Sequence, residues 1–196
     1  MAAGEIDTFS GDRLPPGLAS LIAQAGRPAK DRPVERWNPP YCGEIDLLIA
    51  GDGTWFYQGT PIGREALVRL FASILRREPD GRYVLVTPVE RIGIRVEDAP
   101  FLAVEVAREG EGVAAALTFR TNMGDIVEAG PDHALRFETE AGTGGLKPYI
   151  GVRGALDALA TRALTHELVS IASESEGRTG LWSSGMFFAF PEQAIG

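Results

Sequence analysis

The sequence predicts an α+β fold of antiparallel strands with amphipathic helices. Three observations carry this prediction: a tight-turn signal between two β-rich runs, two stretches with apolar residues at helical spacing, and a succession of short strand-like runs separated by turn residues.

Taken in order, residues 1 to 13 are polar, and Pro15-Pro16 then opens a short helix whose apolar face is Leu18, Leu21, Ile22 and Ala25, stopped by Gly26. From Arg27 to Pro40, prolines at 28, 33, 39 and 40 bias the backbone toward extended conformations around Trp37, which reads as an ordered connector. Ile45 to Ala50 and Thr54 to Gln58 flank Gly51-Asp52-Gly53, and Asp-Gly supplies the positive φ that a hairpin turn demands. Leu67, Leu70, Phe71 and Ile74 fall at i, i+3, i+4 and i+7, with Glu65, Arg69, Ser73 and Arg76 on the other side. Glu65 near the start and Arg76-Arg77 near the end suit the helix dipole, and Pro79-Asp80-Gly81 breaks the helix.

Strand-like runs follow at Tyr83 to Thr87, Arg91 to Val96, Phe101 to Arg108, Val113 to Arg120, Asp125 to Glu128 and Ala134 to Thr139. Consecutive strands this close pair antiparallel, because a parallel crossover needs about a dozen residues or more. A second helix is predicted over Gly154 to Ala172, with Leu156, Leu159, Ala160, Ala163, Leu164, Leu168 and Ile171 on one face, and Leu181 to Phe190 closes the chain with an aromatic-rich strand. Tyr57-Gln58-Gly59 ahead of the first long helix is echoed by Tyr149-Ile150-Gly151 ahead of the second. The expected organisation is therefore an N-terminal helix and connector (1–36), a first strand-and-helix motif (37–96) and a second (97–196), packed as one unit.

Composition excludes several classes. With 196 residues, of which 44% are hydrophobic, the chain affords a packed core. A single cysteine, Cys42, forms no internal disulfide, and no apolar run approaches the roughly 20 residues needed to cross a bilayer. The first residues lack the charged and apolar regions of a signal peptide, so the cytoplasm is the expected compartment. The net charge of -8 falls wholly after residue 95. A field of that sign repels phosphate backbones and anionic lipids, so neither nucleic acid nor membrane is expected as a partner. Only Lys30 and Lys147 are lysines, a bias that goes with a GC-rich bacterial genome.

Few residues point to chemistry. There is no Gly-x-Ser-x-Gly, Cys42 has no histidine nearby in sequence, and His133 and His166 alone make no histidine-rich metal site, so no metal or cofactor is expected. Gly142-Thr143-Gly144-Gly145-Leu146-Lys147 lacks the Walker spacing and reads as a connection between strands. Asp46, Asp52, Glu90, Glu97 and Asp98 offer carboxylates for acid/base hydrolysis, which needs a pair about 5 to 9.5 Å apart. The densest polar cluster is Arg120-Thr121-Asn122 with Asp125, then His133 and Arg136. If Arg120 and Arg136 sit on neighbouring strands, two guanidinium groups with an imidazole between them hold a small anionic ligand, and the candidate binding residues are Arg120, Asn122, His133 and Arg136. In the alternative, Asn122 and Gly124 make a turn while the arginines pair with Glu128 and Glu138 on the surface.

The run Trp37-Asn38-Pro39-Pro40-Tyr41-Cys42-Gly43-Glu44-Ile45-Asp46, Asp52-Gly53-Thr54-Trp55, Pro61-Ile62, Thr87-Pro88-Val89-Glu90 and Val96-Glu97-Asp98-Ala99-Pro100-Phe101 resembles the bacterial family called domain of unknown function 1285. Thr121-Asn122, Gly124-Asp125, Tyr149 and Arg153 resemble it too, and the likeness covers about residues 33 to 172. It implies a mixed fold of two related strand-and-helix motifs, a homodimer, and a part in signal transduction through a small ligand. The family has no assigned activity and so lends no catalytic residues. The leading expectation is a non-enzymatic ligand-binding or regulatory protein. The alternatives are a hydrolase or lyase using Asp46 and Glu97, and a structural homo-oligomeric protein joined through Trp182, Phe187 and Phe188.

Overall fold

The computed structural model describes residues 15–23 and 32–192. Helix α1 (Pro16–Ile22) begins at the expected proline pair; Ala25 and Gly26, assigned to its end from sequence, lie outside the described residues. Its Leu18 is fully buried, and the Leu18 N–H donates to the buried carboxylate of Glu90 at 2.7 Å. Gly17 fits there because it has no side chain: a Cβ would come within 2.8 Å of Glu90, Thr87 and Val89.

The first sheet holds β1 (Tyr41–Ile49), β2 (Trp55–Tyr57) and β3 (Thr60–Pro61), then, after helix α2 (Glu65–Ser73), β4 (Leu75–Arg77), β5 (Tyr83–Val86) and β6 (Arg91–Val96). The expected hairpin is present, with Ile49 opposite Trp55 and Leu48 opposite Phe56. Gly53 takes φ +83° in its turn, and the Asp52 carboxylate accepts the Thr54 N–H at 2.9 Å, which holds that carboxyl below the usual range. Leu67, Leu70 and Phe71 bury the apolar face of α2. The helix ends earlier than periodicity suggests. Arg76, expected on its solvent side, is instead a buried residue of β4, pairing with Glu78 and donating to the carbonyls of Val34 and Trp37, each at 2.7 Å. Those acceptors lie in the connector, and the strand pairing of β4 with β5 outweighs one more helical turn.

The second sheet holds β7 (Phe101–Glu109), β8 (Ala116–Thr121), β9 (Ile126–Glu128), β10 (Leu135–Thr139), β11 (Leu146–Arg153) and β12 (Leu156–Ala160). The run predicted as one strand from Val113 is a 3₁₀ turn (Gly112–Ala114) followed by β8. Helix α3 (Arg162–Ser170) and a three-stranded meander, β13 (Ser173–Ser175), β14 (Arg178–Ser183) and β15 (Met186–Ala189), complete the fold. The predicted second helix is thus half wrong. Its first part is β12, where Leu156, Ala158 and Ala160 are buried at period two, and the helix starts only after Thr161, whose side chain caps the Leu164 N–H at 3.3 Å. The predicted terminal strand is a hairpin, β14 with β15, that buries Phe188 while Phe190 just beyond it packs edge-on to Phe137.

The two sheets repeat one topology. The first runs β3-β2-β1-β6-β5-β4 and the second, in the same sense, β9-β8-β7-β12-β11-β10. Sequence-adjacent strands that pair do so antiparallel, whereas β3 and β4, and likewise β9 and β10, lie at opposite edges, and each sheet is mixed: β1 runs parallel to β6 and β7 parallel to β12, at the sheet centre. These parallel partners are far apart in sequence, which is what a parallel pair requires. The Tyr57 and Tyr149 echo does not mark the repeat, since Tyr57 ends β2 whereas Tyr149 lies in β11, whose counterpart is β5.

A single apolar cluster runs through both sheets. Polar contacts tie them together. Arg153 donates to the Ala72 carbonyl at the end of α2 and to Asp125, both at 2.7 Å, and lies over the Phe101 ring. Asp98, between β6 and β7, takes the Tyr149 hydroxyl at 2.7 Å and pairs with Lys147.

Candidate functional site

The four residues nominated from sequence do not converge. Arg120 and Glu105 form a paired, exposed couple across β8 and β7, with Nε to carboxylate at 2.7 Å. Asn122 fastens the start of β7: its Oδ1 accepts the Leu102 N–H at 3.0 Å and its own N–H donates to Leu102 O at 2.8 Å. His133 contacts the Gly151 carbonyl through Nδ1 at 2.9 Å. Arg136 pairs with Glu138 and Asp157 and lies 4.2 Å over the Tyr149 ring. Although β9 and β10 follow one another in sequence, they form opposite edges of the sheet, so Arg120 and Arg136 are not on neighbouring strands. Strands β11, β12 and β7 separate them, about 19 Å at roughly 4.8 Å per strand. The turn at Asn122 to Gly124 and the Arg136–Glu138 pair follow the alternative reading, while Arg120 takes Glu105 instead of Glu128.

The structure offers a different place, on the first sheet. Trp55 stacks against Phe71 of α2, so Trp55 and its partner Ile49 face the helix, and their neighbours Phe56 and Leu48 face the other way. Leu48 also pairs with Arg95, which puts Phe56, Leu48 and Arg95 side by side on the face that α2 leaves open. Register shifts between Tyr41 and Glu44 and between Glu44 and Leu48 give β1 extra residues relative to β6. Bulges of this kind bend a strand, and here they accompany a trench. It consists of two adjoining hollows of about 470 and 290 Å³ that share Leu48, Arg95 and Glu97.

The arginines of this trench are paired with carboxylates, while Glu44 and Glu97 have no ion-pair partner among the described residues. Arg95 meets Asp46 at 2.7 Å, both side chains exposed. Arg82 at the rim meets Asp80 at 2.7 Å and lies 4.9 Å over the Tyr41 ring. Glu97 accepts the Gly51 N–H at 2.8 Å, tying the hairpin turn to the end of β6. Glu44 lies across Gly93, where a Cβ would sit 2.7 Å from both its Cγ and the Tyr41 hydroxyl, and it has no hydrogen-bond or ion-pair partner among the described residues.

Of the carboxylates considered for acid/base chemistry, Asp46 and Glu97 line the same 290 Å³ hollow. The others are elsewhere: Asp52 in its turn, Glu90 beneath α1 and Asp98 between the sheets. Glu44, Arg82 and Arg95 were not nominated from sequence. The signal for Glu44 and Arg95 is period two: Glu44, Asp46 and Leu48 alternate with buried Leu47 and Ile49, and Gly93 and Arg95 alternate with buried Ile92 and Ile94 on β6; Arg82, just ahead of β5, carries no such signal.

Between the sheets lies a second polar group, Asp98, Lys147 and Tyr149. Its bond to Asp98 raises the Lys147 pKa well above the ordinary lysine value, and burial pushes the Tyr149 hydroxyl up as well. This group holds the fold together and lines neither hollow. Cys42 and His166 are exposed, and the described residues contain no group of three or more His, Cys, Asp or Glu placed to hold a metal ion. No helix among them is long and apolar enough to cross a membrane.

Comparison with known families fits these units. Residues 32–99 match the N-terminal domain of a domain of unknown function, DUF1285, and residues 100–190 match the C-terminal domain of the DUF1285 protein of unknown function. The chain belongs to the DUF1285 family. A solved DUF1285 family protein from Silicibacter pomeroyi DSS-3 is 50% identical and superimposes with a TM-score of 0.80, the match covering 87% of this chain and 93% of that one. Another, from Shewanella baltica OS155, is 28% identical with a TM-score of 0.49, covering 63% of this chain and 90% of that one. No curated protein matches. The break between the two DUF1285 matches falls after residue 99, between β6 and β7, so the trench lies in the N-terminal DUF1285 domain. Glu44 and Asp46 of the motif run line the trench, whereas Asp125, Tyr149 and Arg153 are spent on contacts across or beside the seam between the two domains.

Proposed function

We propose that this DUF1285 protein is a non-enzymatic small-ligand-binding protein with a regulatory role, and that its ligand occupies the trench on the open face of the first sheet. The observation that carries this reading is the trench itself: a curved, half-apolar hollow with charged groups placed around Leu48 and Phe56. Pockets of a few hundred Å³ with an apolar floor and a few polar groups are the usual form of small-molecule sites. A regulatory protein needs the bound ligand to be felt elsewhere, and Glu97 supplies a route, since it binds the hairpin turn and precedes Asp98 of the inter-sheet contacts. The test is native against denaturing mass spectrometry of protein purified under mild conditions. The expected result is a small-molecule adduct that is lost in Leu48→Trp, whose indole fills the shared middle of the trench; an adduct retained in that variant removes the trench as the site.

A second reading, a carboxylate-dependent hydrolase or lyase, draws on the placement of Asp46 and Glu97 in one hollow. Both carboxylates already hold partners, Arg95 and the Gly51 N–H, which favours a positioning role for them over proton transfer. Turnover of a hydrolase substrate panel that disappears in both Asp46→Asn and Glu97→Gln would install this reading in place of the first. Homodimerisation is a separate expectation, checked by light scattering on the eluting protein.

A further inference from the structure

We infer that the ligand of the trench is an organic cation, a primary amine or guanidine on a short apolar body. This rests on the reading of the trench as a ligand site and adds the chemical class.

Both arginines of the trench are already neutralised. Arg95 is held by Asp46 at 2.7 Å, and Arg82 is held by Asp80 at 2.7 Å with its guanidinium over Tyr41. An anionic ligand must pull one of them from its own carboxylate, exchanging one ion pair for another at little net gain. A cation meets no such competition. Glu44 projects into the larger hollow with no partner among the described residues, and Glu97 engages its one bonded oxygen, Oε2, with the Gly51 N–H. The carboxylates of the lining, Glu44, Asp46 and Glu97, outnumber the arginines, and Asp80 further offsets Arg82.

Glu44 is also built into place. Gly93 leaves room against the sheet for its Cγ and for the Tyr41 hydroxyl. The ring of Tyr41 already carries the Arg82 guanidinium, so the free recognition group for a cation at this end of the trench is the Glu44 carboxylate. The remainder of the ligand meets Leu48 and Phe56. Glu44 and Leu48, four residues apart on a bent strand, set the cationic end and the apolar body of the ligand beside each other.

The experiment is isothermal titration of the full chain with phenethylamine, 3-phenylpropionate and 3-phenylpropanol, with amide NMR shifts to locate binding. The amine is expected to bind, to shift the amides of Glu44, Leu48 and Arg95, and to bind roughly three- to fivefold more weakly to Glu44→Gln, the loss of an exposed charge-charge contact. Glu105→Gln, which removes an exposed carboxylate on the second sheet, is the control and leaves amine affinity unchanged. Amine binding that is indifferent to Glu44→Gln overturns the assignment, as does a trench whose amides none of the three compounds shifts. If the carboxylate or the alcohol occupies the trench as tightly as the amine, the cation class falls while the trench survives as a ligand site. Failure of the trench itself is read independently, from an adduct that persists in Leu48→Trp.

Discussion

Replacing Arg153 with alanine tests how the two sheets are held together. The guanidinium makes two bonds at 2.7 Å, one to the Ala72 carbonyl at the end of α2 and one to Asp125, and covers the Phe101 ring at 4.8 Å. Hydrogen bonds to charged groups contribute about 1.5 to 3 kcal/mol each. The pair is about a third exposed, so solvent screening takes both toward the low end. The stacking over Phe101 adds about 0.5 to 1 kcal/mol. Arg153→Ala is therefore expected to cost about 2 to 4 kcal/mol, which for a chain of this length lowers Tm by roughly 5 to 12 °C. Arg120→Ala, which breaks a fully exposed pair within one sheet, is expected to leave the unfolding midpoint almost unchanged. Urea unfolding followed by tryptophan fluorescence and by far-ultraviolet circular dichroism measures both. If Arg153 joins the sheets, its loss also separates the two transitions, because Trp37 and Trp55 report on the first sheet's surroundings and Trp182 on the terminal meander. An Arg153→Ala loss no larger than that of Arg120→Ala would mean that Arg153 does not join the sheets.

Two further predictions concern the same assembly. Gly53→Ala is expected to destabilise by about 1 to 3 kcal/mol, since φ +83° strains any side chain and the new Cβ would stand 2.9 Å from Leu102 and 3.1 Å from Asn122, and urea midpoints check it. At high pH, the raised pKa values of Lys147 and Tyr149 mean that the folded protein keeps protons that the unfolded chain has released. Their contribution is complete below about pH 10 and is lost as pH climbs above it toward the folded values, so stability falls with pH there. Asp98→Asn removes the partner of both groups and flattens that decline; an equally steep decline in the variant, measured by urea unfolding between about pH 9 and 12, would contradict the role given to Asp98.

Local signals were legible in the sequence, and non-local ones were not. Asp52-Gly53 specifies its hairpin through backbone chemistry that needs no distant partner, and Pro16 and the Leu67, Leu70, Phe71 spacing place their helices for the same reason. Leu156, Leu159 and Ala160 suit a helix face, yet Leu156, Ala158 and Ala160 suit a strand equally well; burial at the sheet centre beside β7 decides it. Thr161 was the available marker, since a side-chain cap there dates the helix start. Arg76 was misplaced because its partners, the carbonyls of Val34 and Trp37, come from some forty residues away. The two candidate arginines are kept apart by topology. Arg120 and Arg136 are sixteen positions apart in sequence, but the chain passes from one edge of the sheet to the other between β9 and β10. Asp46 and Glu97, fifty-one positions apart, do meet in one hollow, because the parallel pairing of β1 with β6 brings Leu48 beside Arg95. Neither outcome is encoded in the local residues; both follow from strand order.

The most direct measurement of the central claim is a fragment screen by amide NMR on the full chain, with no bias in ligand charge. The hits are expected to converge on the open face of the first sheet, shifting Leu48, Phe56 and Arg95 together and losing those shifts in Leu48→Trp. Hits that converge instead around Tyr149 and Lys147, or on the edge strands of the second sheet, would contradict it.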